Sequence, residues 1–487
     1  MTGMRELLDV AIIGAGFSGI GLGIALKKAG VESFAILEKG ADVGGVWREN
    51  VYPGACCDVP ANLYSFSFAP KTNWTRRYPP QPEIHAYLRD CARTHGLDAH
   101  LRFHTEVTSA AFDESAACWA LDTAAGESVR ARTLVSAVGQ LSRPAWPKLT
   151  GAERFRGTTF HSAQWKHACD PRGKRVAVVG TGASAVQFIP TLAAQASELY
   201  VLQRSAPWVI PKWDRPYGAL SRLLFRFVPG WQRLCRAFWY GFGELSCAVF
   251  FEGSRTAALF RALSRWHLQR QVRDPVLRRR LTPATPLGCQ RVLFSNDYFP
   301  ALARPNVHLI TEAIRELDER GVVLADGRTL EVDVIVYGTG FRATEFLAPM
   351  RIIGLGGRAL NDAWHDGAEA YLGMTVAGFP NCFLLYGPNT NLGSNSIVLM
   401  IECQVRYVLQ CLDELRRGVR SLEVREEVLR RWNDSLQARL AHSVWSAGCR
   451  SWYRDPGGRV TTNWLGPTRD YARLTARVRV DDFHVVG

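Results

Sequence analysis

Two short turns, Gly14-Ala-Gly16-Phe-Ser-Gly19 and Gly180-Thr-Gly182-Ala-Ser-Ala185, have the spacing with which a backbone closes on a pyrophosphate. The first glycine permits the tight turn, the second lets the phosphates approach the main chain, and the third small residue lets helix and strand pack closely. The residue ending the next strand tells the two turns apart. Phe34 to Leu37 runs into Glu38, 19 residues after Gly19. A carboxylate there accepts ribose hydroxyls and repels a 2′-phosphate, so the first site reads as FAD or NAD. Leu199 to Leu202 instead runs into Gln203-Arg204-Ser205. A guanidinium forks onto phosphate oxygens, so the second site reads as NADPH. Together they imply electron transfer from a nicotinamide to a flavin.

Each turn needs a buried strand before it and a helix after it. Val10 to Ile13 and Val176 to Val179 are short apolar runs, and helical composition follows each turn. The helix N-terminus then offers unpaired N–H groups and the positive end of its dipole to phosphate. The expected fold is α/β, with two Rossmann-like dinucleotide-binding domains, the FAD domain being interrupted by the NADPH domain. Residues 1–145 and 335–487 would form the FAD domain and residues 146–334 the NADPH domain, which includes a helical insert at 215–285. Leu134 to Gly139 is expected to lead out of the FAD domain, and Val334 to Phe341 is expected to return to it.

Composition narrows the class. With 487 residues, 47% hydrophobic and 21% charged, the chain is neither a disordered nor a fibrous sequence. Twelve cysteines without a C-x-x-C pair argue against a disulfide framework, a zinc site or dithiol redox chemistry, and favour a reducing cytoplasm. No metal is expected. The longest nearly apolar run, Ala237 to Phe251, is interrupted by Glu244 and falls short of the roughly 18 residues that span a bilayer.

Longer motifs carry a family resemblance. Gly44-Gly-Val-Trp-Arg-Glu-Asn-Val-Tyr-Pro-Gly-Ala-Cys-Cys-Asp58 resembles the long signature of the type I Baeyer–Villiger monooxygenases, which are class B flavoprotein monooxygenases. Phe155-Arg-Gly-Thr-Thr-Phe-His161-Ser-Ala-Gln-Trp165 resembles their shorter signature, although Lys166 follows where the family has Pro or Asp. Gly288-Cys-Gln-Arg291 to Tyr298 resembles the segment carrying the active-site arginine, with Gln290 where a lysine commonly helps bind the 2′-phosphate. Leu385-Tyr-Gly-Pro-Asn389 resembles a flavin-contacting stretch, and Gly448 to Tyr453 a Trp-rich tail. Asn391 and Ser394 stand where close relatives often have Gly and His.

The resemblance implies a reaction in which a ketone and O₂ give an ester or lactone through a C4a-peroxyflavin, with FAD and NADPH as cofactors. It gives Arg291 and Asp58 catalytic roles, Asp58 orienting the cation. Gly45, Trp47, Gln290 and Asn389 join Gly14, Gly16, Gly19, Glu38, Gly180, Gly182 and Arg204 as cofactor-binding candidates. His161 and Trp165 would couple the linker to domain rotation, and Trp445 and Trp452 would line the substrate pocket. The competing reactions are N- or S-oxygenation by a related flavoenzyme and, on a similar fold, disulfide reduction, for which the C-x-x-C is missing. A non-catalytic nucleotide sensor is a further alternative.

The net charge of +14 is concentrated in one stretch. Arg215 to Arg280 holds 13 arginines, no lysine and three acids, interleaved with Leu, Phe and Trp at helical spacing. The expected arrangement is a helical subdomain with solvated arginines and a buried aromatic stripe. Peripheral contact with an anionic membrane is the alternative, and nucleic acid is not expected because no reader motif accompanies the charge.

Overall fold

The computed structural model describes residues 7–448 and 453–486. The strand Leu7–Ile13 is the centre of the first sheet. It pairs in parallel with Phe34–Leu37 (Val10 opposite Phe34) on one side and Ser128–Ser136 on the other. Burial on both faces explains why these strands read as continuous apolar runs rather than alternating ones. Cys382–Leu384 pairs in parallel with Ser128–Ser136. An antiparallel wing, Cys118–Thr123 and Val107–Asp113, extends the same sheet.

The second sheet is wholly parallel, in the order Val307–Ile310, Glu198–Leu202, Arg175–Val179, Val334–Tyr337, Thr158–His161. One expectation is corrected here. Val334–Tyr337 does not return to the first sheet; it lies between Arg175–Val179 and Thr158–His161, with Tyr337 opposite both Val179 and His161. The chain rejoins the first sheet later, at Arg351–Ile353 beside Val107–Asp113 and then at Cys382–Leu384 beside Ser128–Ser136.

The two crossings between sheets run side by side. Pro144 and Phe341 form an antiparallel bridge, Ala145 N–H donates to Gly340 O at 2.9 Å, and Arg342 N–H donates to Arg143 O at 2.9 Å. The two linker segments are thus hydrogen-bonded to each other where the chain passes between the sheets. The expected insert is helical, with Ala219–Phe227, Trp231–Ser246, Arg255–Gln271 and Pro275–Arg280 as its α-helices. Its apolar stripe is not buried as expected: Leu220, Phe227, Leu234, Phe238 and Leu245 are each more than 60% exposed. Among the described residues, no helix is long and apolar enough to cross a membrane.

Candidate active site

The first turn shows why each glycine is there. Gly14 leaves its strand at φ +103°, and a Cβ on it would come within 2.8 Å of Ala137 O. A Cβ on Gly19 would overlap the Gly14 carbonyl oxygen, so only glycine lets the helix Phe17–Lys28 sit this close. Gly16 differs, because its face is open, with Gly45 Cα the nearest atom at 3.8 Å. The Gly16 and Gly45 backbones therefore form a cradle that side chains would fill. Gly19→Ala is expected to destabilise the fold by about 1–3 kcal/mol through overpacking. An unshifted denaturant midpoint would contradict this.

Glu38 is almost buried and engaged on both oxygens. It accepts Ala15 N–H at 2.9 Å, Gly40 N–H at 2.8 Å and Arg48 Nη1 at 2.9 Å. The carboxylate thus ties the turn to the strand end while remaining on the wall of the cavity. Trp47, also on that wall, donates its indole N–H to Tyr64 Oη at 3.1 Å and packs edge-on against the same ring.

The second turn repeats the first with one difference. Gly180 again needs φ +105°, where a Cβ would meet Gly338 O at 2.5 Å, and Gly182 faces open space. Arg204 is exposed, lines the cavity and makes no ion pair among the described residues. Gln290 Nε2 donates to the neighbouring Ser205 hydroxyl at 3.4 Å. Arg204, Ser205 and Gln290 together are donors that fit a phosphate.

Both turns open into one continuous cavity of about 1400 Å³. Between them lies the Tyr52 to Asp58 loop. Arg291 Nε and Nη2 both donate to Asp58 Oδ2, at 2.9 and 2.7 Å, with the two side chains 31% and 23% exposed. The attraction of Asp58 outweighs the opposing effect of burial and raises the Arg291 pKa above its ordinary value. The guanidinium therefore stays charged at any working pH. Tyr386, on the same wall, donates to Asn391 Oδ1 at 2.6 Å, and burial raises its phenol pKa, so it is neutral beside that cation.

Two residues that sequence reasoning missed hold this loop in place. Gln187, on the helix Ala183–Gln195, accepts Tyr52 Oη–H at 3.2 Å and Cys56 N–H at 3.3 Å, and donates to Cys56 O at 3.1 Å. Lys212 Nζ donates to Cys56 Sγ at 2.8 Å. The signature loop of the first half is thus latched to the second. A polar residue among apolar ones, Val186-Gln187-Phe188, was the available signal for Gln187.

The remaining candidates sit away from the cavity wall. His161 is wholly buried and rings the linker with Trp146 and Phe341, while Trp165 packs between Phe160 and Phe188. Asn389 is also off the wall: its amide donates to Val460 O at 2.7 Å and Asn463 O at 3.2 Å, clamping a later loop. Trp445 is buried rather than pocket-lining. It stacks on Phe250 and donates to Gly288 O at 3.0 Å, bracing the turn before Arg291. Trp452 lies outside the described residues. No cluster of three or more metal-ligating side chains occurs among the described residues.

His161 also carries a pH prediction. Burial lowers its pKa from the ordinary 6.5, with the Gly340 backbone opposing. Between the folded and unfolded values the unfolded chain binds more protons, so acid favours unfolding. This term is absent above pH 6.5 and destabilises the fold as pH falls below it. Urea melts of His161→Gln are expected to show a flatter decline with acid than the parent, and equal slopes would count against it.

Two dinucleotide-binding sheets sharing one cavity define a pyridine-nucleotide oxidoreductase architecture. The family pattern of the pyridine nucleotide-disulphide oxidoreductases matches residues 11–221. A Baeyer-Villiger monooxygenase of Pseudomonas aeruginosa is 46% identical over 479 residues, 98% of this chain and 91% of that protein. One from Streptomyces coelicolor is 41% identical, covering 99% of this chain and 93% of its own length. The crystal structure of cyclohexanone monooxygenase from Rhodococcus sp. Phi1 bound to NADP+ superimposes with a TM-score of 0.89 at 29% identity, covering 99% of this chain and 100% of that one. The chain belongs to the Baeyer–Villiger monooxygenases.

Proposed function

We propose that this enzyme uses FAD, NADPH and O₂ to insert one oxygen atom beside the carbonyl of a small-molecule ketone, giving an ester or lactone, NADP⁺ and water. The observation that carries the reading is the permanently charged Arg291, held by Asp58 in the cavity onto which both glycine turns open. The residues present fit both cofactors. The open face of Gly16, backed by the Gly45 backbone and beside Glu38, would take the FAD pyrophosphate and ribose, and Gly182 with Arg204, Ser205 and Gln290 would take NADPH. Bound FAD, reduced by NADPH, supplies the two-electron activation of O₂.

The chain's own contribution is electrostatic. As the ketone carbon becomes tetrahedral, negative charge develops on its oxygen, and a cation already oriented stabilises that charge without reorganising. Two donors locked onto one Asp58 oxygen fix the plane of the guanidinium and leave Nη1 without a bond to that carboxylate. The Gln187 and Lys212 contacts keep the loop that carries Asp58 against the second half.

The same reading assigns the flavin domain to residues 1–145 and to the chain after Phe341. The nicotinamide domain with its insert lies between, the second junction being moved past Val334–Tyr337 by the pairing of that strand. A cytoplasmic location belongs to the proposal and is supported by ten free thiols among the described cysteines.

The test is stoichiometry. With the holoenzyme and a panel of cyclic and long-chain ketones, NADPH, O₂ and ester should be turned over in equal amounts. NADPH consumption that yields only hydrogen peroxide, or oxygenates only an added sulfide or amine, would refute it.

A further inference from the structure

The helices Ala219–Phe227 and Trp231–Ser246 form a hairpin that carries, beyond the apolar residues it packs inward, a second apolar stripe facing out, which a surface element in water does not need. Phe225 and the half-buried Trp239 and Phe242 face the body of the protein, but so do several of the hairpin's polar side chains. Gln232 donates to Asn62 Oδ1 and Lys71 O, Arg236 donates to Asn62 O and Ser65 O, and Glu244 accepts from Asn395 Nδ2 at 3.0 Å and Thr468 N at 2.8 Å. The second set of large apolar side chains turns outward. Leu220, Leu223 and Phe227 on one helix, and Trp231, Leu234, Phe238 and Leu245 on the next, recur every three or four residues or at multiples of that step. Such a contiguous exposed patch marks a contact surface.

Charge decides what covers it. Arg222, Arg226 and Arg233 flank the stripe, exposed and without an ion pair among the described residues. The hairpin contains one acid, Glu244, which is already engaged. A second copy meeting this face symmetrically would bring arginines against arginines with no carboxylate between them. An anionic bilayer satisfies both features, taking the apolar stripe into the boundary between headgroups and acyl chains and the guanidinium groups against lipid phosphate.

We infer that this hairpin seats the enzyme on an anionic membrane surface. The inner side of the hairpin holds Asn395, which lines the cavity, through Tyr240 O and Glu244. One side chain therefore separates the lipid-facing element from the site. Resting on the ketone reading above, this arrangement suits a lipophilic ketone taken up from the bilayer.

The test is co-sedimentation of the holoenzyme with phosphatidylcholine vesicles, alone and mixed with phosphatidylglycerol. Binding is expected on the mixed vesicles, weakening as salt screens the charge. F227S/L234S/F238S should abolish it. All three positions are more than 60% exposed, so the fold and NADPH oxidation should be unaffected. R222Q/R226Q/R233Q should weaken partitioning by roughly a hundredfold. No binding to acidic vesicles at low salt, or binding unchanged in both variants, would overturn the inference. So would a parent dimer that the apolar variant converts to monomer. Vesicle binding is read without a ketone, so it stands or falls separately from the proposed reaction.

Discussion

Arg291→Ala should lower the rate of ester formation by roughly 10²–10³, the effect of removing one preorganised donor worth about 2.7–4 kcal/mol to a transition state. NADPH oxidation should persist, with hydrogen peroxide replacing ester. The loss has two parts. The cation that faces the developing oxyanion disappears, and Asp58, which received both guanidinium donors on one oxygen, is left partly buried without its counter-charge. Arg291→Lys should restore only part of the rate, because a single ammonium cannot reproduce the planar two-donor grip. Ester measured by gas chromatography alongside NADPH consumption checks this. An Arg291→Ala enzyme that forms ester within tenfold of the parent would remove the guanidinium from the mechanism.

Arg204→Ala should raise the KM for NADPH by about 10- to 100-fold while leaving kcat and the KM for NADH nearly unchanged, since a charge-assisted hydrogen bond is worth about 1.5–3 kcal/mol. Arg204 is exposed beside Ser205, to which Gln290 donates, and makes no hydrogen bond to the Asp58–Arg291 pair. Its effect should therefore fall on binding and not on the chemical step. Steady-state kinetics with both coenzymes separate the cases. Equal losses with NADH and NADPH would show that Arg204 supports the fold or the shared half of the coenzyme, not the 2′-phosphate.

The glycine turns and the contrast between Glu38 and Arg204 were legible in the sequence because they rest on local requirements: a backbone with no Cβ and a charge at a strand end. The partner of a strand is not local. Val334–Tyr337 is followed by Gly338-Thr-Gly340 and reads like a strand of either sheet, and only pairing with Val176–Val179 assigns it. Asn389 and Trp445 were misplaced for a related reason. A motif marks a neighbourhood, not which side of its loop faces the cavity, and both side chains turn away to hold backbone carbonyls. Gln187 and Lys212 contact Cys56 across 131 and 156 residues, separations at which no local pattern points to a partner. The insert's apolar period was readable, but a period gives a stripe without its direction, and here the stripe faces out.

The most direct test of ketone oxygenation is isotopic. The holoenzyme, NADPH and a cyclic ketone are incubated under ¹⁸O₂ with a competing sulfide, and the products are resolved by mass spectrometry. One ¹⁸O in the lactone, at the ring oxygen and not the carbonyl, is the predicted result. An unlabelled ketone with all the label in sulfoxide or hydrogen peroxide would contradict it.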